Sequence, residues 1–492
     1  MNNHQYLQVF QMAAPEVIVT LAALALLLAD ITTLKEQSNT IRRGVCAMIA
    51  AVGCVAAFFV MFTMPGHGAI LDGMLVLNPV TVFAKQCLLM LVLGTVLIST
   101  QSEFTEHVGE FFAVMLLGAV GMMFLISAEE LLAIFLALEM TSLSLYLLAG
   151  FNKNDSRAAE ASLKYFLFGG IAAAITLFGF SLLYGLAGTT NVGLIAAAIQ
   201  SKASDPLTSA ALAMVLVGFG FKIAAVPFHL WAPDAYQAAP TPSAALIASG
   251  SKLASFFVLG KLLIVGLATT AGSAAWRAET SGWLPVVAIL AAGSMIFGNL
   301  AAIAQTDVRR LLAYSAVAHA GYTLVGLMGA GAQAFPSIVY YVTTYGAAVI
   351  GAFAVAGIVE EHAGGARLEN FAGLSKRSPI LAVSLMIFIL SLAGIPPLAG
   401  FFGKFFLFIS AAAPKLGLLW LVILAIAMSA VSLYYYLIVL KQVFVADAPA
   451  NAPALVVNPG ALFGIILLAA GVVIAGCVPD LLLGQLTAVL PH

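Results

Sequence analysis

Apolar residues run through this chain in long unbroken blocks. Each block is about 20 residues, the length a helix needs to cross roughly 30 Å of hydrocarbon. None shows the ten-residue apolar/polar alternation of a barrel strand. The blocks predict fourteen membrane helices, near 15–31, 44–64, 78–99, 109–127, 129–150, 157–186, 207–226, 241–268, 282–303, 307–330, 335–359, 378–411, 415–444 and 459–478. The expected fold is all-α and polytopic, a single integral membrane domain over 1–492. No basic residue and no clear cleavage site accompany the first block, which is therefore expected to stay as a helix. The longest connections, near 187–206 and 360–377, are too short for a second soluble domain.

Loop charges predict the orientation, because Lys and Arg stay on the cytoplasmic side. One set of alternate loops and span ends holds Lys35, Arg42, Arg43, Lys153, Arg157, Arg309, Arg310, Arg367, Lys376, Arg377 and Lys441. The other set holds only Lys202, Arg277 and Lys415. The first set is placed inside. With an even number of spans, both termini then face outward, to the periplasm of a bacterial inner membrane.

Composition narrows the classes. Hydrophobic residues make up 62% and charged residues 8%, against about 25% charged in soluble domains. Too few polar residues remain to cover a soluble enzyme. A net charge of -1 offers nucleic acid no basic field. Cys46, Cys54, Cys87 and Cys477 lie in apolar stretches without a Cys-x-x-Cys pair, so they are expected to be small buried hydrophobes. No metal or cofactor site is expected in this chain.

The informative residues are charges inside the blocks. Six lysines lie there: Lys85, Lys164, Lys222, Lys252, Lys261 and Lys404. A lysine at a helix centre costs roughly 2.5–3.5 kcal/mol, and such residues usually mark ion or proton paths. Lys85 and Lys261 are close enough to span ends to snorkel toward the interface. Lys222 is deep in its span, and Lys252 lies eleven residues past Thr241, about 16 Å along a helix. For these two, a static pair gluing helices is the alternative to a proton path. Lys164 is intermediate, and Lys404 follows a helix break.

Glu139 is the one carboxylate near a span centre. Beside one of these lysines it would form a couple that holds a proton on lysine when closed and releases it when open. His229 and His319 add imidazoles that pass protons near neutral pH. Tyr340, Tyr341 and Tyr345 suit packing better than a wet path. Pro227 follows Lys222, and Gly394-Ile395-Pro396-Pro397 precedes Lys404. Proline breaks a helix, and two breaks in corresponding spans point to transporter repeats. The breaks are five spans apart, and that odd offset makes the repeats inverted.

Three stretches together resemble a known family. They are Val226-Pro227-Phe228-His229-Leu230-Trp231-Ala232-Pro233-Asp234-Ala235-Tyr236 on to Lys252, Leu312-Ala313-Tyr314-Ser315 with Ala318-His319-Ala320-Gly321-Tyr322, and Gly394 through Lys404. The chain resembles the subunit N family of the respiratory NADH–quinone oxidoreductase, complex I, whose members are similar to cation/proton antiporter subunits. The resemblance implies a proton-translocating membrane-arm subunit of a translocase, without a redox centre of its own. It implies flavin and iron–sulfur clusters in partner subunits, antiporter-like paralogues as neighbours, and a quinone used by the complex but not held here. It places the repeats at 109–268 and 282–444. It assigns the coupling pair to Glu139 and Lys222, the lateral relay to Lys252, the second half-channel to Lys404, and a further lysine to Lys164. Subunit M carries glutamate at the place of Lys404, and subunit L is longer. The alternative is a subunit of a multi-subunit sodium/proton antiporter, which shares these motifs.

Overall fold

The computed structural model describes residues 9–64, 68–71, 73–202, 205–448 and 455–488. Six long helices come first: α1 (Ala14–Ile31), α2 (Asn39–Val60), α3 (Pro79–Ile98), α4 (Val108–Ser127), α5 (Leu131–Ala149) and α6 (Ser156–Ala187). A short α7 (Val192–Ala198) leads to α8 (Pro206–Lys222), α9 (Ala232–Ala238), α10 (Thr241–Ala248) and α11 (Gly250–Lys261). The second half holds α12 (Trp283–Ile303), α13 (Val308–Leu327), α14 (Ala334–Ala363), α15 (Leu374–Arg377), α16 (Pro379–Ala393), α17 (Ala399–Ala411), α18 (Leu419–Phe444), α19 (Pro459–Cys477) and α20 (Asp480–Ala488). The only sheet among the described residues is a hairpin, β1 (Gly68–Ile70) antiparallel to β2 (Leu75–Leu77).

Among the described residues, eleven helical stretches are long and apolar enough to cross a membrane. The more polar α13, the short α8 and the pair α16–α17 complete the fourteen expected spans, with ends within a few residues of the expectation. Polar N-caps define several starts. Asn78 and Thr81 form a capping box ahead of α3, and Asp155, Asp205 and Asp307 cap α6, α8 and α13. Such side chains satisfy amide donors that a helix start leaves without partners. The Arg157 guanidinium beside Asp155 also holds its carboxyl below the usual carboxylate range.

Burial separates centre from rim. In the stretch 241–266 and in α14, 94% and 89% of the apolar window is buried, against 33% in α1, α6 and α18. The first pair is the core on which the others pack. The rim helices turn Leu, Ile and Phe outward, as lipid-facing surfaces do. Cys46, Cys54 and Cys87 are buried as expected, but Cys477 at the end of α19 is exposed.

Three spans are discontinuous. In the first, α8 ends at Lys222, Ala224 has φ +58°, and the Val226–Pro227 peptide is cis. Trp231 Nε1 donates to Phe221 O at 3.0 Å and Val226 N donates to Ser294 Oγ at 2.9 Å, so the freed backbone groups are partly satisfied. Tyr165 stacks on Trp231 with ring centres 4.0 Å apart. In the second, α16 ends at Gly394, φ +87°, and Pro396–Pro397 is cis. Only glycine adopts that backbone at little cost. Gly400 then passes so close to Ser391 that a Cβ there would lie 1.8 Å from its carbonyl oxygen. The third break was not expected. Ser249 leaves helical geometry between α10 and α11, three residues before Lys252, in a span expected to be continuous.

Candidate functional site

Lys222 is the last residue of α8. Its ammonium donates to Ser142 Oγ of α5 and lies 5.6 Å from the Tyr146 ring centre. Glu139 is one turn before Ser142, and residues three apart share a helix face. Yet no ion pair or hydrogen bond joins Glu139 to Lys222 among the described residues. The expected couple is therefore seen apart. An ammonium carries three donors, so the bond to Ser142 leaves room for Glu139, whose charge reaches Lys222.

Lys252 is almost wholly buried. Its ammonium donates to Ala316 O of α13 at 2.5 Å and lies 5.5 Å from the Tyr345 ring centre. A carbonyl has two lone pairs, so Ala316 accepts this bond without giving up its place in the helix. From here polar groups continue across the core. His319 is on the same face of α13. Its Nδ1 is 2.6 Å from Tyr341 Oη, and its Nε2 is 3.1 Å from Tyr436 Oη. Tyr436 Oη is also 2.5 Å from Ser315 Oγ. The Tyr435 ring touches that of Tyr436 at 4.5 Å, and Tyr435 donates to Asn299 Oδ1 at 3.1 Å. Asn299 Nδ2 in turn donates to Tyr322 Oη at 3.0 Å.

Lys404 lies at the far end. Its ammonium is 5.0 Å from the Tyr322 ring centre. It donates to Leu392 O and Ala393 O at 3.0 Å each, and to Ser429 Oγ at 2.9 Å. Those carbonyls end α16, where a helix has no internal donors left and carries partial negative charge. Lys404 reaches back from α17 to close them. In sequence, Lys222 precedes its break and Lys404 follows its own. In space, residue Lys222 ends its first half-helix, and the Lys404 ammonium reaches back to the end of its own.

Sequence reasoning missed Ser315, Tyr435, Tyr436, Asn299 and Ser429. Asn299 carried a signal, as a lone amide in an apolar span; the tyrosines looked like ordinary membrane aromatics. Tyr341 was assigned to packing, yet its hydroxyl bonds His319 because α13 and α14 lie side by side. Tyr340 does pack, donating to Ala475 O at 2.7 Å.

Two expected site residues stand away from this line. Lys164 pairs with Glu160 at 2.7 Å and Asp234 at 2.8 Å, and Asp234 also holds Arg310 at 2.9 Å. Its side chain is 41% exposed, so two acids hold it in a rim cluster. His229 is buried in the first break with its ring 4.8 Å from that of Phe297, and its Nδ1 has no hydrogen-bond partner.

The snorkelling expected for Lys85 and Lys261 is overturned. Lys85 is 2% exposed and pairs with the equally buried Glu16 at 2.5 Å. Lys261 pairs with Glu129 at 2.8 Å and donates to Ile126 O and Ala128 O at 3.1 Å each. Both lysines turn inward because a neighbouring segment brings an acid within reach, α1 for Lys85 and the α4–α5 turn for Lys261. Glu16 escaped notice because it lies at the edge of the first span.

The family described as NADH:quinone oxidoreductase/Mrp antiporter, TM, matches residues 128–431. An NADH-quinone oxidoreductase subunit N 2 from Acidobacterium capsulatum is 47% identical over 98% of this chain and 99% of its own length. A subunit N from an Anaeromyxobacter species is 38% identical over 89% and 88%. A chain of respiratory complex I from Thermus thermophilus, solved with bound aureothin, superposes with TM-score 0.79 at 32% identity, covering 96% of this chain and 99% of that one. A chain of the Mrp complex from a Dietzia species shares the fold at TM-score 0.80 with 20% identity. With relatives matched from end to end and the polar line at its centre, the chain belongs to the subunit N family of the NADH-quinone oxidoreductases.

Proposed function

We propose that this chain is a proton-translocating module of an NADH–quinone oxidoreductase, driven by electron transfer in other subunits. The observation that carries the reading is the chain of buried polar groups from Lys252 through His319, Tyr436, Tyr435 and Asn299 to Tyr322 beside Lys404. Within the reading, protons enter from the side of the basic loops and reach Lys222. Lys222 alternates between Ser142, as seen here, and Glu139 one turn away. Closure on Glu139 holds its proton; opening passes it, through water, to Lys252. The imidazole of His319 accepts on one nitrogen and donates from the other, between two phenol hydroxyls. Lys404 receives the proton at the second break. Lys164 and His229 border this route, as a rim charge and a lining imidazole.

The first repeat, 109–268, carries Glu139, Lys222 and Lys252; the second, 282–444, carries His319 and Lys404. Flavin and iron–sulfur clusters belong to partner subunits, and antiporter-like paralogues adjoin this chain in the membrane arm. On this reading the complex lies in a bacterial inner membrane, and this chain has both termini on the periplasmic side.

The test is proton yield per electron by the complete complex in sealed vesicles. Lys222→Ala is expected to lower the yield while NADH–quinone turnover continues. An unchanged yield rejects the relay. A free antiporter would instead exchange cations without NADH or quinone.

A further inference from the structure

A second group of buried charges lies outside the line from Lys222 to Lys404. It occupies the membrane face opposite the basic loops, where α1 and α3 begin and α4 and α11 end. Lys85 Nζ holds one carboxylate oxygen of Glu16, Oε1, at 2.5 Å. The other oxygen, Oε2, is buried without a hydrogen-bond partner, and so is Ser127 Oγ. Glu16, Lys85 and Ser127 line one cavity of about 10 Å³, roofed by Leu75 and Leu77 of the hairpin. That is room for roughly one water molecule.

The cavity does not stand alone. Ser127 lies between Ile126 and Ala128, whose carbonyls both accept from Lys261. Lys261 pairs with Glu129 at 2.8 Å and feels the charge of Lys85. Glu129 N donates to Met74 O at the turn of the hairpin. Glu16 and Lys85 are the charged groups lining the cavity among the described residues; Lys261 and Glu129 approach from α11 and the α4–α5 turn. A pair kept only for packing is expected to satisfy every buried oxygen, because an orphan carboxylate oxygen is costly. Here the orphan oxygen and the orphan hydroxyl belong to residues that line the same water-sized space.

We propose that Glu16, Lys85 and Ser127 form a water-bridged protonation site that passes protons between the membrane core and the face opposite the basic loops. The ammonium of Lys85 gives a proton to the Glu16 carboxylate through Oε1, leaving a neutral amine and a neutral acid. Rotation of the neutral Glu16 carboxyl then exchanges its two oxygens, and the proton leaves for the cavity water held by Ser127 and from there reaches the bulk. A proton arriving from the side of Lys261 restores the Lys85 ammonium beside the Glu16 carboxylate. Helices α1 and α3 thereby contribute to transport as well as to packing.

The inference rests on the reading of the chain as a proton pump, and its test separates the two. The double variant Glu16→Leu/Lys85→Met replaces the pair by apolar groups of similar size. In the complete complex it is expected to assemble and keep NADH–quinone turnover, but to lose proton yield by the same factor as Lys222→Ala. Added to Lys222→Ala, it should lower the yield no further. Full yield from an assembled double variant overturns the proposal. If the double variant fails to assemble, Ser127→Ala decides, since it removes the hydroxyl and leaves the pair. A reduced yield with a shifted pH profile supports the site, and an unchanged yield and profile overturns it. Full yield from Lys222→Ala would sink the central relay whatever the outer variants do.

Discussion

The two proline breaks solve one problem by opposite means. At the first, the lysine belongs to the half-helix that ends; Lys222 leaves the carbonyl of Phe221 to Trp231 and gives its own ammonium to Ser142. At the second, the lysine belongs to the half-helix that begins, and Lys404 holds two terminal carbonyls itself. The first lysine is thus free of the backbone and can swing between side-chain partners. The second is part of the backbone's hydrogen bonding. The contrast teaches that lysines at corresponding breaks need not have equal freedom.

The difference breaks most violently at Gly400. Gly400→Val puts side-chain atoms where Ser391 O already lies, and backbone cannot yield as a side chain does. Loss of assembled subunit from the membrane is expected, measurable on a native gel. At the first break, a Cβ on Gly220 would meet only the Phe228 ring, 2.6 Å from its Cδ2, and a ring can give way.

Lysine exchange is the next largest effect and separates the breaks directly. Lys404→Met leaves the ends of α16 and Ser429 Oγ without their donor, a loss of about 1–3 kcal/mol, and removes the second lysine. Lys222→Met removes only the side-chain bond to Ser142. Both variants should lose proton yield, but Lys404→Met should unfold at the lower temperature. Equal melting temperatures would erase the distinction.

Tyr436→Phe tests what joins the breaks. It removes the hydroxyl shared by Ser315 and His319 and keeps the ring. Transfer should slow on the order of 100-fold, the low end of what a positioned proton-transferring group contributes. Single-turnover proton release would show it. The smallest effect lies at Ala224, φ +58°. Ala224→Gly should relieve this backbone by about 1 kcal/mol and leave proton yield intact, raising the melting temperature slightly.

Much of this was legible in the chain. The spans were, because each block of apolar residues had to bury its own backbone bonds in lipid. Lys222, Lys252 and Lys404 were legible because charge at such depth needs a reason. Their partners were not. Ala316 O, Leu392 O and Ala393 O are backbone atoms that no residue type announces. Tyr436 and Asn299 matter only because α18 and α12 pack beside α13, a contact more than a hundred residues long in sequence. Lys85 was misjudged for the same reason, since distance to a span end says nothing of an acid on a neighbouring helix.

Lys404's place at the end of α16 also bears on how the protein is made. The 15 residues of α16 and the 13 of α17 are each too short to span the bilayer, which takes about 20. Neither half is a stable insertion unit, so the membrane must accept residues 379–411 together. The ammonium that seals the join arrives only with the second half. A nascent chain that misplaces Lys404 leaves an open helix end in lipid, a defect that quality control can detect. Passing inspection during synthesis and, under the proposed relay, carrying protons then depend on the same nitrogen atom.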